Sequence, residues 1–295
     1  MKNGSSRFTP SEIITIAYAC ITGILVCFFW SKPDNPALLL LFRLAVIAGI
    51  FGISILNKHF WGKHIQLIRS LTPLILIGYW YPETFQLGKC TLPNLDHLFV
   101  AADQWLFCCQ PSIEFSKAVP YTWFNELMNF GYLTYFVMVL GTCLFFFFTR
   151  QQLGQKIIFV ILCSFLCYYI IFIVLPVMGP QFYFAYPNNT IPDAGFFRET
   201  LKFIQQNGEQ PTGAFPSSHV GICLINLTLL YKYFRKGFYI LLPIAALLII
   251  STVYIKAHYL IDVIAGFISA PLIYWLSITC WKRFERNNTF IDKTS

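Results

Sequence analysis

The chain has 295 residues, of which 57% are hydrophobic and only 12% charged, against about 45–50% and 25% for an ordinary soluble domain. That balance excludes a water-soluble globule and points to a polytopic membrane protein. The formal net charge of +8 is no sign of nucleic-acid binding, because the basic residues collect at the ends of apolar runs, where the positive-inside rule accounts for them.

In chain order, eight apolar stretches are drawn: Glu12–Trp30, Ala37–Leu56, Leu71–Trp80, Asn129–Phe148, Lys156–Val177, His219–Phe234, Phe238–Lys256 and Tyr259–Cys280. The third is short, with Pro73 inside it and Pro82 just beyond. The first lacks a small-residue cleavage site and reads as a retained helix, not a signal peptide. The predicted fold class is therefore all-α, a transmembrane helix bundle. With no repeat, low-complexity tract or linker, residues 1–295 read as a single integral-membrane domain, in which 12–56 supply two N-terminal helices.

An even number of spans puts both termini on one side. Alternating the loops gives that side fourteen of the 21 basic residues, among them Arg69, Arg150, Lys232, Arg235 and Lys282. The termini are accordingly expected in the cytoplasm and the other connections in the periplasm, the cell exterior or an organelle lumen. Of ten cysteines, Cys20, Cys27, Cys143, Cys163, Cys167, Cys223 and Cys280 fall in or beside apolar runs and behave as small hydrophobes. Cys90, Cys108 and Cys109 lie in a predicted loop, without metal-ligand spacing.

Two long connections share the outer side. The first, Tyr81 to Met128, contains Leu98–Cys109, whose mix of Phe99, Trp105, Leu106 and Phe107 with Asp103 and Gln104 suits a helix lying in the interface. It ends in F-N-E-L-M at Phe124 to Met128. The second, Met178 to Pro216, opens with G-P-Q-F-Y-F at Gly179 to Phe184 and holds an amphipathic turn at Phe196–Gln206. There Arg198 and Lys202 stand four residues apart, on one helical face.

The chemistry concentrates in two motifs at helix mouths on that same side, A-F-P-S-S-H at Ala214 to His219 and H-Y-L-I-D at His258 to Asp262. A phosphoryl-transfer site needs a nucleophilic imidazole, a carboxylate that fixes its tautomer, and an acid for the leaving oxygen. His258 and Asp262 are i and i+4 on one helix face, and His219 supplies a second imidazole. Ser217 and Ser218 precede a helix start, where free N–H groups favour either an N-cap or an anion. Lys256 stands at the membrane edge, as a snorkelling lysine or a phosphate ligand. A zinc site made of His219, His258 and Asp262 is disfavoured, since no close histidine pair or cysteine accompanies them; no metal or cofactor is expected.

P-S-S-H at Pro216 to His219, followed by S-T-V-Y-I-K-A-H-Y-L-I-D at Ser251 to Asp262, resembles the second and third signatures of the type 2 phosphatidic acid phosphatase (PAP2) superfamily, P-S-G-H and S-R-x5-H-x3-D. The resemblance implies a six-helix core over 71–280 with two helices added before it. It also implies His258 as the nucleophile that becomes phosphohistidine, Asp262 as its orienter, His219 as the acid, and Ser217 and Ser218 as phosphate ligands. The family's first signature, K-x6-R-P, is missing. P-V-M-G-P-Q-F-Y at Pro176 to Tyr183 takes its place, which adds Gln181 to the expected substrate-binding set. Thr252 replaces the arginine of the third signature. Positive charge is a main catalytic term in phosphoryl transfer, so Lys256, then Arg198 or Lys202, is expected to supply it.

The function expected from this resemblance is a membrane-embedded lipid phosphatase, with a lipid phosphate or phospholipid as its partner. The alternative is a phosphotransferase like the inositol phosphorylceramide synthases, to whose branch F-N-E-L-M and the G-P-x-aromatic turn look closest. A third reading is a transporter or scaffold, in which the ionisable groups form an ion site.

Overall fold

The computed structural model describes residues 8–55, 58–191 and 195–294, with the backbone alone at 58–64 and 287–294. Among the described residues there are twelve helices and no strand: α1 (Pro10–Phe28), α2 (Pro36–Ile55), α3 (Lys58–Gly88), α4 (Asp96–Phe107), α5 (Pro111–Ala118), α6 (Thr122–Thr149), α7 (Gln151–Val174), α8 (Pro180–Tyr183), α9 (Phe196–Gly208), α10 (Ser218–Tyr233), α11 (Arg235–Tyr254) and α12 (Leu260–Thr294). The eight predicted stretches correspond to α1, α2, α3, α6, α7, α10, α11 and α12. Leu56, the expected end of the second, lies outside the described residues, as do both extremities of the chain.

Six helices are long and apolar enough to cross a bilayer, namely α1, α2, α6, α7, α11 and the Leu260–Arg286 part of α12, as befits an integral membrane protein. The other two long helices depart from that pattern for physical reasons. Helix α10 has only 16 residues, about 24 Å of rise at 1.5 Å per residue. Helix α3 has 31 residues and runs through both Pro73 and Pro82, well past the ten predicted. Its second half continues because it is held from outside: Trp80, Glu83, Thr84 and Leu87 are buried, and Tyr169 donates to the Ile77 carbonyl at 3.1 Å. Neighbouring helices offset the backbone bonds that proline removes.

Helix α7 is the hub. It packs against α3, α6, α10, α12 and α1, and buries Ile157 to Leu162, Tyr168, Tyr169 and Phe172. Helices α1 and α2 are attached through buried ion pairs. Arg43 on α2 forks onto Glu83 of α3 at 2.7 and 3.1 Å, and also donates to Thr22 of α1. Arg69 of α3 meets Glu12 of α1 at 2.7 and 2.6 Å, while Glu12 closes a capping box with Thr9. Charges this deep persist only when paired.

The last residue of α1, α3, α7 and α11 and the first of α2, α6, α10 and α12 belong to one end of the bundle, together with α4, α5, α8 and α9. Three carboxylates from this end bind backbone amides elsewhere in the chain. Asp103 of α4 accepts from Leu260 and Ile261 N–H at the start of α12, both at 3.0 Å. Glu126 of α6 accepts from Phe197 and Arg198 N–H at the start of α9, again at 3.0 Å. Asp96 of α4 holds Met178 and Gly179 N–H at 2.7 and 2.9 Å. Each satisfies donors that a helix start or turn would leave unpaired.

Candidate active site

Helix α11 stops at Tyr254, and the turn through Lys256 has left-handed backbone, φ +62°, which reverses the chain so that His258 precedes α12. Facing it, Ser217 caps α10, its Oγ accepting from Val220 N–H at 3.3 Å, and donates its own N–H to the Asp262 carbonyl at 3.1 Å. Gly266 permits this approach: a Cβ there would lie 2.9 Å from the Ser217 carbonyl oxygen. The two histidine motifs, about forty residues apart in sequence, are thereby joined through backbone.

His219 Nδ1 and His258 Nε2 are 3.1 Å apart. His258 Nδ1 lies 2.8 Å from the Ala214 carbonyl oxygen. A carbonyl only accepts, so Nδ1 carries the proton, Nε2 presents its lone pair, and His219 donates to it from Nδ1. The His219 ring is set by Tyr132 and Tyr135, with centroids at 4.6 and 4.5 Å. His258 is 2% exposed, and burial pushes its pKa down to about 4, the Ala214 hydrogen bond opposing in part. It is a neutral imidazole at pH 7.

Asp262 differs from expectation. Its Oδ2 is 3.7 Å from His258 Nδ1, beyond a hydrogen bond, and accepts instead from Tyr259 N–H at 2.9 Å. The start of its own helix presents a nearer donor, and the Ala214 carbonyl occupies the imidazole proton. Asp262 thus lies beside the imidazole without bonding to it, while a backbone oxygen fixes the tautomer. Among the described residues, no group of three or more His, Cys, Asp or Glu side chains is arranged to hold a metal ion.

The expected phosphate ligands divide. Ser217 and Ser218 are buried beside the dyad. Lys256 is also buried, and its ammonium donates to the Thr190 carbonyl; burial, then the charge of Lys117, lowers its pKa to about 8. Gln181 joins the Lys256 turn through its N–H, 2.9 Å from the Lys256 carbonyl oxygen. Its amide contacts Glu209 at 2.8 Å and Gln205 at 3.1 Å. Arg198 is half-buried and donates to Gln205 at 3.2 Å, while Lys202 is exposed.

Sequence reasoning missed the Ala214 carbonyl, the tyrosines about His219, Glu209, and the carboxylates Asp96 and Asp103. Glu209 accepts from Tyr132 at 3.4 Å, and burial raises its pKa. One signal was present: Asp96 and Asp103 are seven residues apart, on one face of a mostly apolar helix.

Comparison with curated proteins and with solved structures finds no match. The PAP2 superfamily profile matches residues 97–276, more than half of the chain and the whole of both histidine motifs. With its helical membrane bundle, the chain belongs to the PAP2 superfamily, enzymes that act as phosphatases and phosphotransferases on lipid phosphoric esters.

Proposed function

We propose that this protein is a lipid phosphatase working through a phosphohistidine on His258, at the extracytoplasmic or lumenal face of one membrane domain with cytoplasmic termini. The observation that carries the reading is the dyad: a neutral His258 with Nδ1–H held on the Ala214 carbonyl and Nε2 directed at His219.

In the first step Nε2 attacks phosphorus, a P–N bond forms and the P–O bond to the lipid breaks. The lipid oxygen takes a proton from His219, which is charged by the arriving anion's field and a solvent proton. The phosphorylated His258 is cationic; Ala214 keeps its Nδ1–H, and Asp262 at 3.7 Å stabilises the new charge. In the second step His219 removes a proton from water, the oxygen attacks phosphorus and the P–N bond breaks, restoring both imidazoles. The sum is ester plus water giving alcohol plus phosphate. Ser217, Ser218 and Lys256 bind the phosphoryl oxygens, with Gln181, Arg198 and Lys202 further out. Near-attack geometry needs about 3–3.5 Å from nitrogen to phosphorus, and the leaving oxygen lies beyond, so a 3.1 Å dyad opens when substrate binds.

A second reading, transfer to an alcohol in the manner of inositol phosphorylceramide synthases, is favoured by one observation. Glu209, Gln181 and Gln205 form a polar cluster beside the dyad's neighbours, a chemistry suited to hydroxyls. Incubating detergent-purified protein with short-chain lipid phosphates in EDTA, with and without alcohol acceptors, separates the readings. Hydrolysis releases phosphate; transfer yields a new phosphoester and little free phosphate. His258→Ala and His219→Ala are expected to abolish either product while membrane insertion persists. Full turnover in His258→Ala eliminates the nucleophile assignment, and the absence of any product in the parent protein leaves the transporter or scaffold reading.

A further inference from the structure

We propose that Asp96, one residue before the matched segment, is a positioning residue that sets the orientation and tautomer of His258 from two directions. The proposal rests on the reading of His258 as nucleophile. Asp96 is fully buried, and its carboxylate collects four donors, none of them cationic. Oδ1 accepts from Gly179 N–H at 2.9 Å and from the Tyr259 hydroxyl at 2.8 Å. Oδ2 accepts from Met178 N–H at 2.7 Å and from the Asn94 amide at 2.6 Å.

These contacts converge on one imidazole. Through Tyr259, Asp96 holds the residue that directly follows His258. Through Met178 and Gly179, it fixes the turn whose neighbour Val177 accepts Ala214 N–H at 3.1 Å. Ala214 in turn offers its carbonyl to His258 Nδ1 at 2.8 Å. Gly179 also packs on the carbonyl of Ala257, the residue before His258. The carboxylate of a triad usually touches the imidazole that it orients. Here Asp262 is engaged by Tyr259 N–H, and orientation arrives through backbone from Asp96.

A carboxylate has lone pairs for four donors, whereas an asparagine in its place keeps one acceptor oxygen and turns an NH2 toward donors it cannot accept from. Asp96→Asn therefore releases one side of the clamp without creating a cavity. Releasing the Met178 side loosens Ala214, and releasing the Tyr259 side loosens His258 directly. Either outcome frees the imidazole to exchange tautomers, which removes the lone pair from Nε2 for part of the time.

The test uses full-length protein in detergent, labelled with [15N]histidine. The chain has five histidines, and the His258 signals are identified as those missing from His258→Ala. The parent is expected to show His258 as a single Nδ1–H tautomer, and Asp96→Asn a mixture. In parallel kcat falls roughly 10- to 100-fold with KM little changed, the scale expected for a misplaced catalytic group. Tyr259→Phe, which deletes one donor and leaves the fold's packing in place, is expected to show a smaller shift of both readouts. It carries the test if Asp96→Asn does not fold. The double variant is expected to be no slower than Asp96→Asn alone, since both act through one carboxylate. Unchanged kcat in the folded variants, or a loss of kcat with the His258 tautomer unaltered, overturns the proposal. The tautomer readout requires no turnover, so it decides Asp96's role even if His258→Ala retained activity and the nucleophile assignment failed.

Discussion

Replacing Gly179 by alanine probes the site at the point where backbone, not side chain, sets the geometry. Gly179 has φ +92° and ψ 162°, a region open essentially to glycine alone, and a side chain there costs about 1–3 kcal/mol. A Cβ would stand 2.8 Å from the Ala257 carbonyl oxygen and 3.2 Å from Ala214 Cβ. Ordinary contact begins near 3.4 Å, so in a close-packed interior Ala257 retreats by about 0.6 Å. Ala257 precedes His258 and Ala214 holds its Nδ1–H, so both supports of the imidazole move together. If a 1 Å misplacement costs about 10²-fold, a shift of this size costs roughly 10-fold or more in kcat. The melting temperature should fall by roughly 2–10 °C for that strain. Turnover at saturating lipid phosphate gives the first quantity, and a thiol-reactive dye reporting exposure of the buried Cys143 and Cys223 gives the second. Gly141→Ala, with no neighbouring atom within 4 Å of its Cβ, is the control and should leave both unchanged. Full kcat in folded Gly179→Ala, or an equal loss in the control, refutes the claim that this turn sets His258.

Three further predictions concern charge. Lys256 has a pKa lowered to about 8, so in the free enzyme the ammonium is present below that pH and lost above it. The pH profile of kcat/KM should then show a basic limb centred near 8, and Lys256→Arg, whose charge persists at any accessible pH, should move that limb away. With its pKa near 4, His258 stays unprotonated across the physiological range, and should add no acid limb above about pH 5. Glu83→Gln strands the buried Arg43, and should lower stability by about 3–5 kcal/mol in thermal unfolding, whereas Arg43→Met with Glu83→Met should recover most of the loss.

What the residues disclosed was periodicity and motif. Apolar runs located the eight long helices, six of which are long and apolar enough to span a bilayer, because lipid demands length and low polarity from every span, and the paired imidazoles stood out because histidine is scarce. The full reach of α3 was hidden: its second half is held by Arg43 on Glu83 and by Tyr169 on the Ile77 carbonyl, partners distant in sequence. The tautomer lock was hidden for a deeper reason. It comes from the Ala214 carbonyl, a group every residue possesses, and only the folded path of the chain selects one. The i, i+4 spacing of His258 and Asp262 predicted proximity on one helix face; the two lie 3.7 Å apart, but His258 stands in the turn before α12 and not on the helix, and proximity does not determine which acceptor receives the proton. Asp103 was visible as a charge on an interfacial helix and Asp96 stands just before it, but their amide partners lie more than eighty residues away.

The closed imidazole pair has a pharmacological consequence. If His258 is the nucleophile proposed above, any phosphate mimic, vanadate included, has to part the rings before it can bind, so its measured affinity is its affinity for the open form reduced by the fraction of molecules that are open. A substitution that props the rings apart without touching either nitrogen would tighten such inhibitors even as it slowed turnover, and compounds that lean on the tyrosines flanking His219 would gain where plain oxyanions do not.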